Sequence, residues 1–229
     1  MGSKVRVAIA GAGRMGQAIA ALLQEHEQVS FCGMAGRDDD LDALVASADV
    51  LIDFSLPDGT ERLLEVVVAH RKPLVCGVSG LSDAQMAKLR QAAESIPVVY
   101  DRNMSQGVTV LNAVIRDVAA ALGAEFAVRI EETHHIHKKD APSGTALKLA
   151  ETLAKARGIS VDEVPCESER RGEVPGDHTI SLRSENEVLT FKHSVTTRDV
   201  FADGAIRAAL WVKDRPAGQY SMQDVLFDV

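Results

Sequence analysis

Residues 5–23, VRVAIAGAGRMGQAIAALL, decide the fold class. Val5 to Ala10 is an apolar-rich run of strand length, and Ile19, Leu22 and Leu23 then share one face at helical spacing. Between them Gly11, Gly13 and Gly16 satisfy GxGxxG. A bare GxGxxG is a weak signal, but this one is entered from a strand and left by a helix, the context that a dinucleotide site requires. Glycine allows the tight turn and a close backbone approach to a pyrophosphate, whose charge meets the unpaired N–H groups of the first helical turn. The plain alternative is a glycine-rich turn that binds nothing. The second strand reads VSFCGMAG, residues 29–36. About 20 residues beyond the last fingerprint glycine, where an acid would grip the adenosine ribose, stand Gly36 and Arg37. An acid there would repel a 2′-phosphate, whereas glycine beside arginine accepts one. The expectation is NADPH or NADH, with NADPH favoured, although the acidic run Asp38 to Asp40 opposes it unless it is simply an exposed loop.

Working outward, VLIDFS, PLVCGVS and IPVVYD are apolar runs near residues 50, 74 and 97, separated by helical segments at 61–70 and 83–94. This alternation predicts an α/β, doubly wound parallel sheet. Ser82 with Gln85 reads as a capping box. Ligands of such sheets lie beyond the carboxyl ends of the strands, here Gly11 to Gly16, Ser55 with Pro57, Gly77 to Ser79, and Asp101 to Met104. From Val108 the pattern becomes α+β: a helix to about Leu122, a strand from Phe126 to Thr133, a helix from Thr145 to Gly158, and two alternating strands at 178–183 and 188–196. Glu167 to Asp177 reads as a loop by its charge, glycine and proline. DGAIRAALWV reads as a helix, and the C-terminal tail is expected to rejoin the first domain. The domains are then 1–105, rejoined by 200–229, and 106–199, with a crossing at Asn103 to Gly107.

The second dense signal is EETHHIHKKDAPSGTA, Glu131 to Ala146, with three imidazoles and two ammonium groups in sixteen residues. Pro142, Ser143 and Gly144 precede a helix whose Ala146, Leu149, Ala150, Leu153 and Ala154 share a face. Its first turn offers N–H donors and the positive end of the dipole to a carboxylate or phosphate, with His135, Lys138 and Lys139 adding charge upstream. If extension continued past His134, the His134 and Lys138 Cα atoms would lie roughly 13 Å apart. A turn between them brings them to about 6 Å, so the chain is expected to leave extended geometry there. The competing readings are a basic solvated loop before a capped helix, and a zinc site. No cysteine accompanies HHIH and no helical HxxxH is present, so no metal is expected.

The chain has 229 residues and a net charge of −8, which argues against a nucleic-acid or anionic-membrane surface. Cys32, Cys76 and Cys166 are odd in number and widely spaced, fitting reduced intracellular thiols. No apolar run is expected to reach membrane-spanning length, the amino end lacks a signal-peptide layout, and Arg6 breaks the myristoylation pattern. A cytoplasmic protein is expected.

In order and spacing, AGAGRMG, DFSLPDGT, CGVSG, DRNMSQGV, EETHHIHKKDAPSGTA, GDHT and ADGAIRAALW resemble the 4-hydroxy-tetrahydrodipicolinate reductases of diaminopimelate and lysine biosynthesis. Every position of the family motif ExHHxxKxDxPSGTA is matched from Glu132 to Ala146. The resemblance implies reduction of a cyclic dicarboxylate by a nicotinamide cofactor in a homotetramer, with a Rossmann-like first domain and a second domain for substrate binding and oligomerisation. It implies that His134 is the general acid/base and Lys138 the proton donor, and that His135, Gly144 and Thr145 hold substrate carboxylate. It places the cofactor at Gly11, Ala12, Gly13, Arg14, Met15, Arg37, Gly77, Val78, Ser79, Asp101, Arg102, Asn103 and Met104. Two departures stand out: GAGRMG is one residue shorter than the family's GxxGRMG, and the region from Pro165 to His178 is much shorter than usual. The second is expected to touch subunit contacts and leave the chemistry alone. Retention of His134 and Lys138 argues against a binding-only regulator, and an oxidoreductase for another small acid is the remaining alternative.

Overall fold

In the computed structural model, which describes residues 3–228, the Val5–Ala10 run is β1, with Val7 to Ala10 buried. Met1 and Gly2, where an acylation signal would begin, and Val229 lie outside the described residues. The chain continues through α1 (Arg14–Glu25), β2 (Val29–Ala35), α2 (Leu41–Ser47), β3 (Val50–Asp53), α3 (Pro57–Ala69), β4 (Leu74–Cys76), α4 (Asp83–Ala93) and β5 (Pro97–Tyr100). Then come α5 (Gln106–Leu122), β6 (Ala127–His134), α6 (Gly144–Arg157), β7 (Cys166–Arg170), β8 (Asp177–Arg183) and β9 (Val188–Ser194). The last elements are α7 (Asp199–Val212), β10 (Gly218–Tyr220) and α8 (Met222–Phe227). The chain forms two compact units, one of Gly107–Arg198 and one of the residues before and after it.

The first unit is a six-stranded parallel sheet in the order β10-β5-β4-β3-β1-β2. Alternation along β1 explains its two layers. Val7 and Ile9 pack with Ile19 and Leu23 of α1 and with Ala205 and Ala209 of α7, while Ala8 and Ala10 pack with Leu63 of α3 and Leu89 of α4. Both faces are covered, so the strand is apolar throughout its buried length. Strand order reverses at β1, and the crevice beyond β1 and β3 is where such sheets bind ligands.

The second unit has a four-stranded sheet in the order β7-β6-β8-β9, with β6, β8 and β9 antiparallel and β7 parallel to β6 at the edge. Val128, Ile130, Ile180 and Leu182 face Leu111 and Ile115 of α5 and Leu149 and Leu153 of α6. Helix α6 is capped at its start by the Ser143 side chain and ends at Gly158 in the left-handed conformation, φ +66°. The Ser82–Gln85 capping box at α4 is present.

Two readings need correction. Glu167 to Asp177 is not all loop, because β7 runs to Arg170; as an edge strand it carries charge in place of an apolar alternation, and Arg129 pairs with Glu167 across it. Asp38 to Asp40 is an exposed loop, as its plain reading had it, and its last residue, Asp40, caps α2 by accepting from the N–H groups of Asp42 and Ala43. Among the described residues, 106–125 is long and apolar enough to cross a membrane by length and composition. One face packs on the sheet through Leu111, Ile115 and Ala119, while Val110 and Val114 are exposed beside Arg116 and Asp117.

Helix α7 lies so close to the end of the β5 segment that a Cβ on Gly204 would sit 1.8 Å from the Met104 carbonyl oxygen. Gly204→Ala is expected to destabilise the first unit by about 1–3 kcal/mol through forced backbone movement. Urea unfolding checks this; an unchanged midpoint would show that α7 does not depend on that approach.

Candidate active site

In the first unit a cavity of about 700 Å³ opens beyond β1 and β3, lined among others by Gly11, Gly13, Gly36, Arg37, Phe54 and Arg62. Gly11 has φ +104°, and a Cβ on it would lie 2.6 Å from the Phe54 backbone. On Gly16 a Cβ would lie 1.8 Å from the Gly11 carbonyl oxygen, so the turn and α1 are in van der Waals contact only because residue 16 is glycine. A Cβ on Gly13 would meet no protein atom within 4 Å, so there the small residue serves the cavity and not protein packing. Helices α2, α4, α6 and α8 are capped by Asp40, Ser82, Ser143 and Ser221, yet α1 has no side-chain cap and no acid in its first turn. Its first-turn donors border the cavity at Gly13, and this fits a dinucleotide pyrophosphate.

Gly77 packs under the Phe54 ring, where a Cβ would come within 2.4 Å. Ala12, Arg14, Ser79 and Arg102 are exposed, and Met15 is half-buried against the core. Val78 and Met104 are core side chains, leaving their backbone as the part that can meet a ligand. After β5 the chain turns sharply, the Asn103 N–H donating to Asp101 and the Ser105 N–H to Asn103. At the Gly36 side of the cavity, Arg62 donates to the Arg37 carbonyl at 2.7 Å, and Asp39 accepts from the Gly36 N–H at 2.7 Å. Phe54 and Arg62 were not legible in the sequence, because neither belongs to the glycine signature.

In the second unit the inward face of β6 changes from Val128 and Ile130 to Glu132 and His134, all buried. Register places His178 of β8 opposite Glu132, and His193 of β9 opposite His178. The His134 and His178 rings meet edge to face, centroids 5.2 Å apart. His178 Nε2 lies 3.2 Å from Ser143 Oγ, which also accepts from the Ala146 N–H, so the imidazole cluster reaches the start of α6. The chain does turn after His134: the Lys138 N–H donates to the His135 carbonyl. Lys138 pairs with Asp140 at 2.8 Å, His135 Nε2 contacts Arg198 at 3.4 Å, and His137 and Lys139 are exposed. Gly144 is exposed and Thr145 half-buried in the first turn of α6.

Glu132 binds His134 Nδ1 with one oxygen and Arg170 Nη1, at 3.0 Å, with the other. Burial pushes its carboxyl up, but the Ser168 hydroxyl, Arg170 and His134 more than offset this and hold it below the usual range. Burial takes the His134 imidazole below its ordinary value despite Glu132, and Lys138 and Arg170 add to the lowering. Glu132, His134 and His178 bring potential metal-ligand atoms within 4.8 Å of one another, a grouping that sequence spacing could not reveal because His178 comes from another strand. Arg170 already supplies the positive charge that a metal would bring to Glu132. The shortened segment therefore does touch this site, contrary to the sequence expectation: it supplies Arg170, and Gly176, whose Cβ would lie 3.0 Å from His134 Nε2.

Two family profiles match the chain, "Dihydrodipicolinate reductase, N-terminus" over residues 5–104 and "Dihydrodipicolinate reductase, C-terminus" over residues 107–226. The chain belongs to this reductase family. The 4-hydroxy-tetrahydrodipicolinate reductase of Wolinella succinogenes is 39% identical, over 96% of this chain and 98% of its own. That of Zymomonas mobilis subsp. mobilis is also 39% identical, over 98% of each chain. Among solved structures, a dipicolinate-bound dihydrodipicolinate reductase from Paenisporosarcina sp. TG-14 shares the fold, with TM-score 0.82 and 23% identity over 97% of this chain and 100% of that one. The chain is thus an oxidoreductase of Rossmann-like fold.

Burial, with His134 close by, pushes the His178 imidazole down to about 4. Between about pH 4 and about 6.5 the unfolded chain holds a proton there that the folded chain lacks. His178 therefore contributes stability that is complete above about 6.5 and is lost as pH falls, on the order of 3 kcal/mol across the window. Unfolding free energies from pH 4 to 7 should show a shallower slope in His178→Gln; an identical slope would refute the assignment.

Proposed function

We propose that His134 and Lys138 carry the protons in the reduction of 4-hydroxy-tetrahydrodipicolinate by NAD(P)H, the reaction of the diaminopimelate and lysine pathway, while His135, Gly144 and Thr145 hold substrate carboxylate. The observation that carries this reading is the convergence of an ionisable cluster on a helix start: His134 touches His178, His178 touches Ser143, and Ser143 opens α6. A dianionic ring is held by first-turn N–H groups together with ammonium and imidazole, a set matched to carboxylate geometry. The nicotinamide supplies hydride. Charge that develops on the substrate nitrogen or the adjacent carbon is then met by a proton from Lys138, with His134 as acid/base beside it.

The first unit is the cofactor-binding domain in this reading, using Gly11 to Met15, Arg37, Gly77 to Ser79 and Asp101 to Met104. The second binds substrate and assembles the protein. NADPH is favoured over NADH because Gly36 and Arg37 occupy the sequence position where a ribose-gripping acid would stand. The protein works as a cytoplasmic homo-oligomer, a tetramer on the family pattern. The acidic net charge speaks against nucleic acid or an anionic membrane as partner.

With freshly generated substrate, His134→Gln and Lys138→Met should each lower kcat by about 10²- to 10⁴-fold. Lys138→Met should also raise KM, because it removes charge from a dicarboxylate site. Cofactor binding by fluorescence should stay at wild-type strength in both. Wild-type kcat in folded His134→Gln would leave only a substrate-holding loop.

Arg37→Ala should weaken NADPH roughly 10- to 100-fold, the size of one charge-assisted contact, and leave NADH within about 2-fold. Equal losses for both cofactors would remove Arg37 as the 2′-phosphate ligand.

A further inference from the structure

Arg170 is bonded to both segments that carry the proposed proton carriers. Its Nη1 donates to Glu132, which in turn holds His134 Nδ1. Its Nε donates to the Lys138 carbonyl at 3.2 Å and its Nη2 to the Asp140 carbonyl. In the parallel ladder it lies opposite His134. We propose that Glu132 and Arg170 form a positioning pair, which fixes His134 with its proton on Nδ1 and Nε2 free for proton exchange, and sets the Lys138 turn in register with it. The proposal rests on the reading of His134 as a proton carrier.

An ionised carboxylate can only accept, so the nitrogen facing Glu132 must carry hydrogen. The remaining nitrogen, Nε2, then presents a lone pair. It faces Gly176, at φ +156°, where any Cβ would approach within 3.0 Å. When Nε2 takes a proton, the Glu132 charge stabilises the imidazolium, as an orienting acid does behind other catalytic histidines. Glu132 is 1% exposed, and a buried carboxylate without a cation would take up a proton. A protonated Glu132 could donate to Nδ1 and reverse the tautomer. Arg170 prevents this by keeping the carboxylate ionised. The other titratable or charged groups facing the cluster are Lys138 from the turn, Cys166 from β7, whose thiol the Glu132 charge helps push up, and His178 from β8, the latter flanked by Asp177 and His193.

Nitrogen-15 NMR of histidine-labelled wild-type protein at neutral pH should show His134, assigned by its loss in His134→Gln, as the Nδ1–H tautomer. An Nε2–H tautomer would overturn the proposal even if no further variant folds. Glu132→Gln should lower kcat roughly 10²- to 10⁴-fold with KM and cofactor affinity within about 3-fold. It should also move the His134 limb of the kcat–pH profile to lower pH, because an amide stabilises imidazolium less. Arg170→Ala should lower kcat and in addition raise KM, since the Lys138 turn loses its tether, and Arg170→Lys should recover only part of each. If Glu132→Gln loses kcat while the pH limb and nitrogen shifts stay put, its role is structural and the positioning pair is wrong. If both Glu132→Gln and Arg170→Ala keep wild-type kcat while His134→Gln is inactive, the pair is again wrong and the proton role of His134 stands. Wild-type kcat in His134→Gln would instead remove the underlying reading.

Discussion

A carboxylate buried at the end of an apolar strand sets the layout of the second unit. Glu132 follows Val128 and Ile130 on the inward face of β6 and is 1% exposed, where an isolated charge would cost several kcal/mol. The cost is offset by Arg170 on one oxygen, the His134 ring on the other, and the Ser168 hydroxyl, which acts to keep the carboxyl ionised. Two of these groups come from β7, so the edge strand has to lie parallel to β6 in the register that brings Ser168 opposite Glu132 and Arg170 opposite His134. Both carboxylate oxygens of Glu132 are thereby bonded. His134, the proposed acid/base, is thus one of the groups that make Glu132 tolerable.

Both units present a helix start to solvent, and they finish it differently. Helix α1 begins at Gly13 with neither a capping side chain nor an acid, so its first donors are left for a ligand. Helix α6 begins at Ser143, whose oxygen takes the Ala146 N–H and lies beside His178 Nε2. That cap ties the helix to β8 and leaves Gly144 and Thr145 as the first-turn residues at the mouth of the imidazole cluster. A bare start suits a pyrophosphate lying along the backbone. A capped one, fixed to a sheet, suits a small carboxylate that has to be held in one orientation.

Most of the first unit was legible because its signals are local. The apolar runs of β1, β3, β4 and β5, the glycine turn and the Ser82 box each read from a few neighbouring residues. Helix α2 and strand β10 were not, since a seven-residue helix and a three-residue edge strand carry too little pattern. In the second unit the motif exposed His134, Lys138 and the start of α6, and left their surroundings hidden. Arg170 lies in a charged stretch with the composition of a loop, and its pairing with Glu132 spans 38 positions. His178 was visible within GDHT, but its place against His134 depends on the β6–β8 register. Such neighbours come from strand pairing, which no short window of sequence contains.

The short connection between β7 and β8 can also be understood from its bonds. The Arg171 N–H donates to the His134 carbonyl, the Ile136 N–H to Gly172, the Val174 N–H to Arg171, and the Val195 N–H to Gly176. The connection is therefore laced to the end of β6 on one side and to the end of β9 on the other. A longer excursion at this point would have to leave and rejoin the same two anchors, Arg170 and His178. Those anchors are eight positions apart, and the turn that joins them brings the Gly176 backbone against His134 Nε2. Between these anchors the chain passes from the cation bonded to Glu132 to the imidazole beside His134, and glycine at 176 keeps a side chain off His134 Nε2. Gly176, with φ +156°, closes the six-residue connection 171–176 between β7 and β8, which is pinned at both ends.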